Sequence, residues 1–487
     1  MGGCVMEGRS KNKKNWRIFF CGCLAAGLSI CMTLGAAQAA EPKGAKRAAL
    51  PQAAEGTLED TVYSTLNYNP RLKGFQEFRQ AARHEVGKAR SGWLPRADLR
   101  AGIGMEQWDD IRTRNYSGGR YLQNNYDFYE RREVSAVVSQ TIWDGLSTKA
   151  RHDIAHARLS SAESRLLDNA TALSLDAILA HIDVCRNIRL VKLAEDNVEN
   201  HKIILASQNE RFTLGASSMA DVTQTQSRLA RALSTLEEAR ANLETSAATY
   251  RRLTGKAPRS LITPSLPGNG YSSLEAVVAS SQALNPKITA LRWDIETAKA
   301  TAELSKSNFH PRITAEYSYG YNYNVGSDTN WNHGHAFMLR LQWNIFNGFY
   351  DWYDTKSNLA TARQRRNEME ETRIMLIEET EKTWASFRSE RERAKHYIMA
   401  VEQGSQTRDM YIEQFNLGQR SLLDVLDAEN EVFTSSQQHT SSSMNEIANM
   451  YRLLALGGEL TFGFAVRSAD LRVDTDPNPW IWKKSSQ

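Results

Sequence analysis

Cysteine is scarce where it would matter: of five cysteines, Cys4, Cys21, Cys23 and Cys31 crowd the N-terminus and only Cys185 lies beyond them. No pair remains there for an intrachain disulfide, which excludes a small stapled secreted domain and fits a large envelope protein. Long apolar runs are also missing. Beyond Ile18–Leu34 no stretch approaches the roughly 18 apolar residues of a spanning helix, so any membrane insertion falls to β-strands. The formal charge is only +4, with basic and acidic residues interleaved, so nucleic acid is not an expected partner. Phosphate-binding glycine loops and nucleophile motifs are absent. Gly118-Gly119 falls between two predicted strands, the wrong context for a nucleotide, and Cys185 reads as a small packed side chain in mid-helix. His152 and His156 share a helix face but lack a third ligand at metal-site spacing. An enzyme, a metal site and a cofactor are therefore not expected.

The N-terminus has the pattern of an export signal. Lys11, Lys13, Lys14 and Arg17 precede the apolar run, and Ala37-Gln38-Ala39 supplies a small-x-small cleavage site, so residues 1–39 read as a removed signal peptide. Ile30 is too bulky before Cys31 for a good lipid-anchor site. Residues 40–56, rich in Ala, Lys, Pro and Gly, read as a flexible lead-in.

From Thr57 the chain can be laid over itself. Asn69-Pro70 matches Asn285-Pro286, Trp93-Leu94-Pro95 matches Phe309-His310-Pro311, and Asp144-Gly145 matches Asn347-Gly348. Phe212-Thr213-Leu214-Gly215 through Ser218, Asp221 and Val222 matches Phe415 through Ser421, Asp424 and Val425. Ordered self-similarity at this period indicates duplication of a structural unit. The first repeat, 57–253, is predicted as helix 57–91, strands 96–106 and 132–143, long helix 145–215 and helix 217–253. A linker, 254–271, carries Pro258, Pro264 and Pro267. The second repeat, 272–458, is predicted as helix 272–307, strands 312–325 and 335–346, long helix 348–417 and helix 421–456, with a tail at 459–487.

The strands alternate. Ala97, Leu99, Ala101, Ile103 and Met105 oppose Arg96, Asp98, Arg100 and Glu106, and Ile313, Ala315, Tyr317, Tyr319, Tyr321 and Tyr323 oppose Arg312, Thr314, Glu316 and Asn322. Their length and aromatic placement suit tilted membrane strands, but four strands cannot close a barrel, so copies have to pool them. The two long helices run about 70 residues without proline, a length typical of coiled coils or helical arrays. Leu159, Leu166 and Leu173 step by seven, and Ile377, Trp384, Phe387, Ala394, Ile398 and Val401 step by sevens, threes and fours. A rod of antiparallel helices follows, with strands at one end and two tight turns at the other.

Those turns are the candidate functional features. Gly418 suits a left-handed helix terminus, Ser421 reads as an N-cap, and Asp424 and Asp427 lie on one face of the next helix. Leu214, Gly215, Ser218 and Asp221 form the upstream copy.

With its duplicated order and the stretch Leu417-Gly418-Gln419-Arg420-Ser421-Leu422-Leu423-Asp424-Val425-Leu426-Asp427, the chain resembles the TolC family of outer-membrane factors. The resemblance covers nearly everything from Thr57 to Gly458. It implies a mixed membrane α/β fold: a homotrimer whose pooled strands make one twelve-stranded β-barrel in the lipid of a Gram-negative outer membrane, continuing into a periplasmic α-barrel of coiled-coil helices. It also implies that the tips, with Leu214, Gly215, Ser218, Leu417, Gly418 and Ser421, meet a periplasmic adaptor. Asp424 and Asp427 fall on the positions of the acidic rings, and Arg420 on a latch position with Asp221 as its partner. Phe415 stands where the best-known member has tyrosine, and Ala220 replaces a hydroxyl residue, so the resemblance implies that some of that latch's hydrogen bonds cannot form here. Ser421-Leu422-Leu423-Asp424 running into Glu429-Asn430-Glu431, with the late Asn478-Pro479-Trp480, looks most like members that serve ABC transporters in type I protein secretion. The alternative is an efflux duct for a resistance-nodulation-division pump.

Overall fold

The computed structural model describes residues 56–107, 116–117, 120–121, 128–268, 270–326 and 328–460. The expected signal peptide, the lead-in to residue 55, most of the loop around Gly118-Gly119 and the tail from residue 461, with Asn478-Pro479-Trp480, lie outside the described residues.

A single opening helix over 57–91 is not what forms. The chain makes α1 (Leu58–Tyr68) and α2 (Pro70–Arg90), because Pro70 has no N–H to continue a helix and forces Asn69 into the extended region at φ −67°, ψ 124°. Asn69 then caps α2, its Oδ1 accepting from the Arg71 amide at 3.0 Å. The second repeat breaks in the same way. Expected over 272–307, its helix is instead α5 (Leu274–Leu284) and α6 (Pro286–Lys306), divided at Asn285 with φ −62°, ψ 121°.

The remaining helices are α3 (Ser147–Thr213), α4 (Met219–Thr254), α7 (Tyr350–Asn416) and α8 (Leu422–Leu456). Helices of 11, 21, 67 and 36 residues in the first repeat return as 11, 21, 67 and 35 in the second. At about 1.5 Å per residue, α3 and α7 each run roughly 100 Å. The core lies mainly along α3, where Leu166, Leu173, Ile178 and Ile182 are buried against neighbouring helices. By contrast α7 buries Phe387 and Ala394 but leaves Ile374, Met375, Ile398 and Met410 exposed. His181 of α3 ties α1 and the linker together: its ring meets the Thr61 hydroxyl at 2.8 Å and the Ile262 carbonyl at 2.9 Å.

The sheet is antiparallel in the order β1 (Arg96–Glu106), β2 (Tyr129–Trp143), β3 (Arg312–Val325), β4 (Asp328–Gln342). Two strands differ from expectation in their bounds. β2 begins at Tyr129, not 132, and β4 occupies 328–342 where 335–346 was predicted. Pairing decides both: Glu106 partners Tyr129, and a tight hairpin with Asn324 and Gly326 at positive φ lets Val325 pair with Asp328. A separate short ladder joins Tyr116–Ser117 to Arg120–Tyr121.

Register aligns one face across all four strands. Leu99 stands beside Ala136, Ala136 beside Tyr319, and Ala97, Val138, Tyr317 and Phe337 form the next row. That face is bare: Leu99, Ile103 and Met105 are 75%, 76% and 74% exposed, and Phe337 76%. The opposite face holds ion pairs, Arg131 to Glu106 at 2.9 Å and Arg340 to Glu316 at 3.0 Å. β1 and β4 each have one neighbour, so each keeps an open edge. No helix among the described residues is long and apolar enough to cross a membrane.

Candidate functional site

Both hairpins end in the same backbone device. After α3, Gly215 takes φ +74° and donates to the Phe212 carbonyl at 3.0 Å, while the Ala216 amide reaches back to Arg211 at 2.8 Å. After α7, Gly418 takes φ +73°, with its amide on Phe415 at 3.0 Å and that of Gln419 on Gln414 at 2.9 Å. This left-handed closure satisfies the last carbonyls of each helix and turns the chain within a few residues. It leaves Leu214 and Leu417 projecting, 76% and 73% exposed.

The capping differs between the tips. Ser218 and Asp221 form a reciprocal box: the Asp221 amide donates to Ser218 Oγ at 3.2 Å, and the Ser218 amide donates to Asp221 Oδ2 at 3.1 Å. Hydroxyls of Ser218 and Ser217 also donate to that carboxylate, at 2.8 and 3.3 Å. Bonds from the Ser218 hydroxyl and amide, then from the Ser217 hydroxyl, hold Asp221 below the usual carboxylate range. At the second tip Ser421 caps through the Asp424 amide at 3.3 Å, but the Asp424 carboxylate turns to Arg420 at 3.8 Å.

Arg420 and Asp221 are not brought together within the chain. The Arg420 guanidinium lies 4.0 Å over the Tyr411 ring and donates to Gln414 Oε1 at 3.2 Å. Asp427, on the exposed side of α8, pairs with Arg228 of α4 at 3.1 Å. Phe415 is half-buried under Arg211 of α3, whose guanidinium stacks 4.3 Å from the ring and donates to the Phe415 carbonyl at 3.3 Å.

A third contact joins the hairpins deeper in, where Asn200 Nδ2 donates to Glu429 Oε1 at 2.5 Å. Arg211, Arg228 and Asn200 were not singled out in the sequence, where they look like ordinary polar positions on a charged helix. Only the packing of one hairpin on the other, α3 on α7, α4 on α8 and α3 on α8, gives them partners.

The Arg211–Phe415 clamp needs no side-chain hydroxyl, since ring face and backbone carbonyl do the accepting. A cation–π contact and a charged bond together contribute on the order of 1–2 kcal/mol at a half-exposed position. Arg211→Ala should therefore loosen the two tips by roughly tenfold in equilibrium terms, measured as faster amide exchange in 208–216 and 413–420. Unchanged exchange in both segments would show that the clamp holds nothing.

Long helical hairpins with capped tips, joined to a sheet that is apolar on one face and charged on the other, define an outer-membrane channel protomer. The profile of the outer membrane efflux protein family matches residues 61–256 and 277–456, and the chain belongs to that family, one of transport channels and not of enzymes. BepC, an outer membrane efflux protein of Brucella suis biovar 1, is 23% identical over 358 residues, spanning 72% of this chain and 77% of its own. The outer membrane protein TolC of Vibrio cholerae is 21% identical over 439 residues, 84% of this chain and 94% of its own. A solved structure of CusC shares the fold with TM-score 0.72 at 15% identity, covering 82% of this chain and 92% of that one.

Proposed function

We propose that three copies of this chain form a passive, gated exit duct through the outer membrane, fed by a separate energised transporter. The observation that carries this reading is the four-stranded sheet, open at both edges and apolar on its exposed face. In hydrocarbon an unpaired strand edge costs several kcal/mol for each unsatisfied group, so the edges have to pair with other copies. Within this duct the tips form the periplasmic mouth. Asp424 and Asp427 line it, Arg420, Asp221 and Phe415 hold it shut, and Leu214, Gly215, Ser218, Leu417, Gly418 and Ser421 dock a periplasmic adaptor.

The duct serves type I secretion, taking protein cargo from an inner-membrane ABC transporter. The likeness of the Ser421–Glu431 stretch to duct proteins of that system supports this choice. A second reading, drug or metal efflux with a resistance-nodulation-division pump, is favoured by the relative BepC, named as an efflux protein. Deleting the gene should remove at least one exported protein from the medium and leave drug susceptibility unchanged. An intact secretome with drug hypersensitivity would select the efflux reading instead.

A further inference from the structure

The tip half of the first hairpin has polar residues in its core. Along α3 the inward positions step by fours and threes through Ala194, Val198, His201, Leu205 and Gln208, and along α4 through Val222, Thr225, Leu229, Ala232 and Leu236. Away from the tip this seam is apolar, with Ala194, Val198, Ala232 and Leu236 in one buried cluster. Toward the tip the buried residues include His201, Gln208 and Thr225, at 5%, 1% and 0% exposure, beside the apolar Val222. Three buried atoms here have no hydrogen-bond partner: His201 Nδ1, Gln208 Nε2 and Asn197 Oδ1. Polar layers at such positions lower the local stability of a coiled coil, and an unpaired buried nitrogen adds to the cost.

Glu429 closes this seam from the second hairpin. It is 4% exposed, takes the Asn200 amide at 2.5 Å and stands 3.6 Å from Arg408 of α7. The other charges around His201 are themselves paired. Arg228 of α4 engages Asp427 of α8 at 3.1 Å, Arg408 engages Asp409 at 2.8 Å, and on α3 itself Glu199 engages Lys202 at 3.4 Å.

We propose that His201 and Glu429 form an acid-operated release between the two hairpin tips. Protonating His201 places a cation beside Arg228 in a layer that withholds water from it, and the attraction of Glu429 offsets only part of that cost. The packed layer is then disfavoured, and α3 parts from α4 and from the Glu429 side of α8 near the tips. Burial already pushes the His201 imidazole below its ordinary 6.5, Arg228 in the same direction and Glu429 against it. A parted, hydrated seam returns the imidazole to ordinary proton affinity, so the parted state takes up the proton first. Packing of the seam is therefore fully favoured above about pH 6.5 and is lost progressively as pH falls below it. As a mouth, the tips of the proposed duct would then open more readily in acid.

Hydrogen exchange on the purified full chain in detergent, corrected for intrinsic rate, tests the seam whether or not the chain conducts. Between pH 7.5 and 5.5 the segments 199–213 and 422–433 should lose several-fold, up to about tenfold, in protection. His201→Leu, and His201→Gln in case leucine disturbs folding, should remove that loss while leaving protection at pH 7.5 intact. Protection that does not change with pH, or that falls equally in both variants, overturns the proposal. Conductance of the same preparations in planar bilayers reads the duct separately. An acid-sensitive seam in a chain that never conducts would sink the duct and leave the release standing.

Discussion

Replacing Asp424 and Asp427 together by asparagine should reverse the ion preference of the reconstituted channel, from cations toward anions, and abolish its block by divalent cations. Carboxylates repeated around a narrow mouth focus a negative potential there, but the protomer does not present them bare. Asp427 is 3.1 Å from Arg228, and Asp424 is 3.8 Å from Arg420. Removing both carboxylates takes away two negative charges per chain and leaves the positive charges of Arg228 and Arg420 without these partners, so the local balance turns positive. A change of about tenfold in the cation-to-anion permeability ratio is the expected scale, shrinking as salt rises because the screening length falls to about 10 Å at 0.1 M. The single variants should differ. Asp427→Asn frees an arginine from a close pair, whereas Asp424→Asn breaks a long contact and leaves Arg420 still held by Tyr411 and Gln414. Reversal potentials under a salt gradient measure all three. A double variant with unaltered selectivity and divalent block would show that neither acid faces the conducting path.

The fold class was readable because its signals are local and repeated. Alternation along Arg96–Glu106 and Arg312–Val325, proline-free runs on either side of Gly215 and Gly418, and the Ser218 and Ser421 caps each follow from the nearest few residues. Asn69-Pro70 carried a local signal too, but served only as a marker of duplication; its effect on the backbone divides a helix expected to be whole. Other features were not legible because they depend on strand register or on partners elsewhere in the fold. The β4 bounds follow from its register on β3, and the Arg211–Phe415, Arg228–Asp427 and Asn200–Glu429 contacts from how the hairpins pack. The pairing of Arg420 with Asp221, implied by family resemblance alone, meets a tip where each residue already has nearer partners.

The sharpest test of the folded core lies at a glycine that the two repeats share in sequence and that differs between them in its surroundings. Each long helix is entered through two successive left-handed residues, Gly145 and Leu146 at φ 65° and 70°, then Gly348 and Phe349 at 68° and 67°. A Cβ at Gly348 meets nothing within 4 Å, so Gly348→Ala carries only the left-handed backbone penalty of about 1–2 kcal/mol. At Gly145 the same atom would lie 2.6 Å from His310 Cβ and 2.7 Å from the Ser307 carbonyl oxygen, part of the corner that leads from α6 into β3. That oxygen belongs to the backbone, so relief requires the corner to shift, adding on the order of 1–3 kcal/mol of overpacking strain. Gly145→Ala should thus cost about twice as much as Gly348→Ala and shift the sheet against α3, seen as a lower unfolding temperature and a smaller yield of folded protein in the outer membrane. Equal losses for the two variants would mean that the corners yield alike, and that the first repeat does not lean on the second through Gly145.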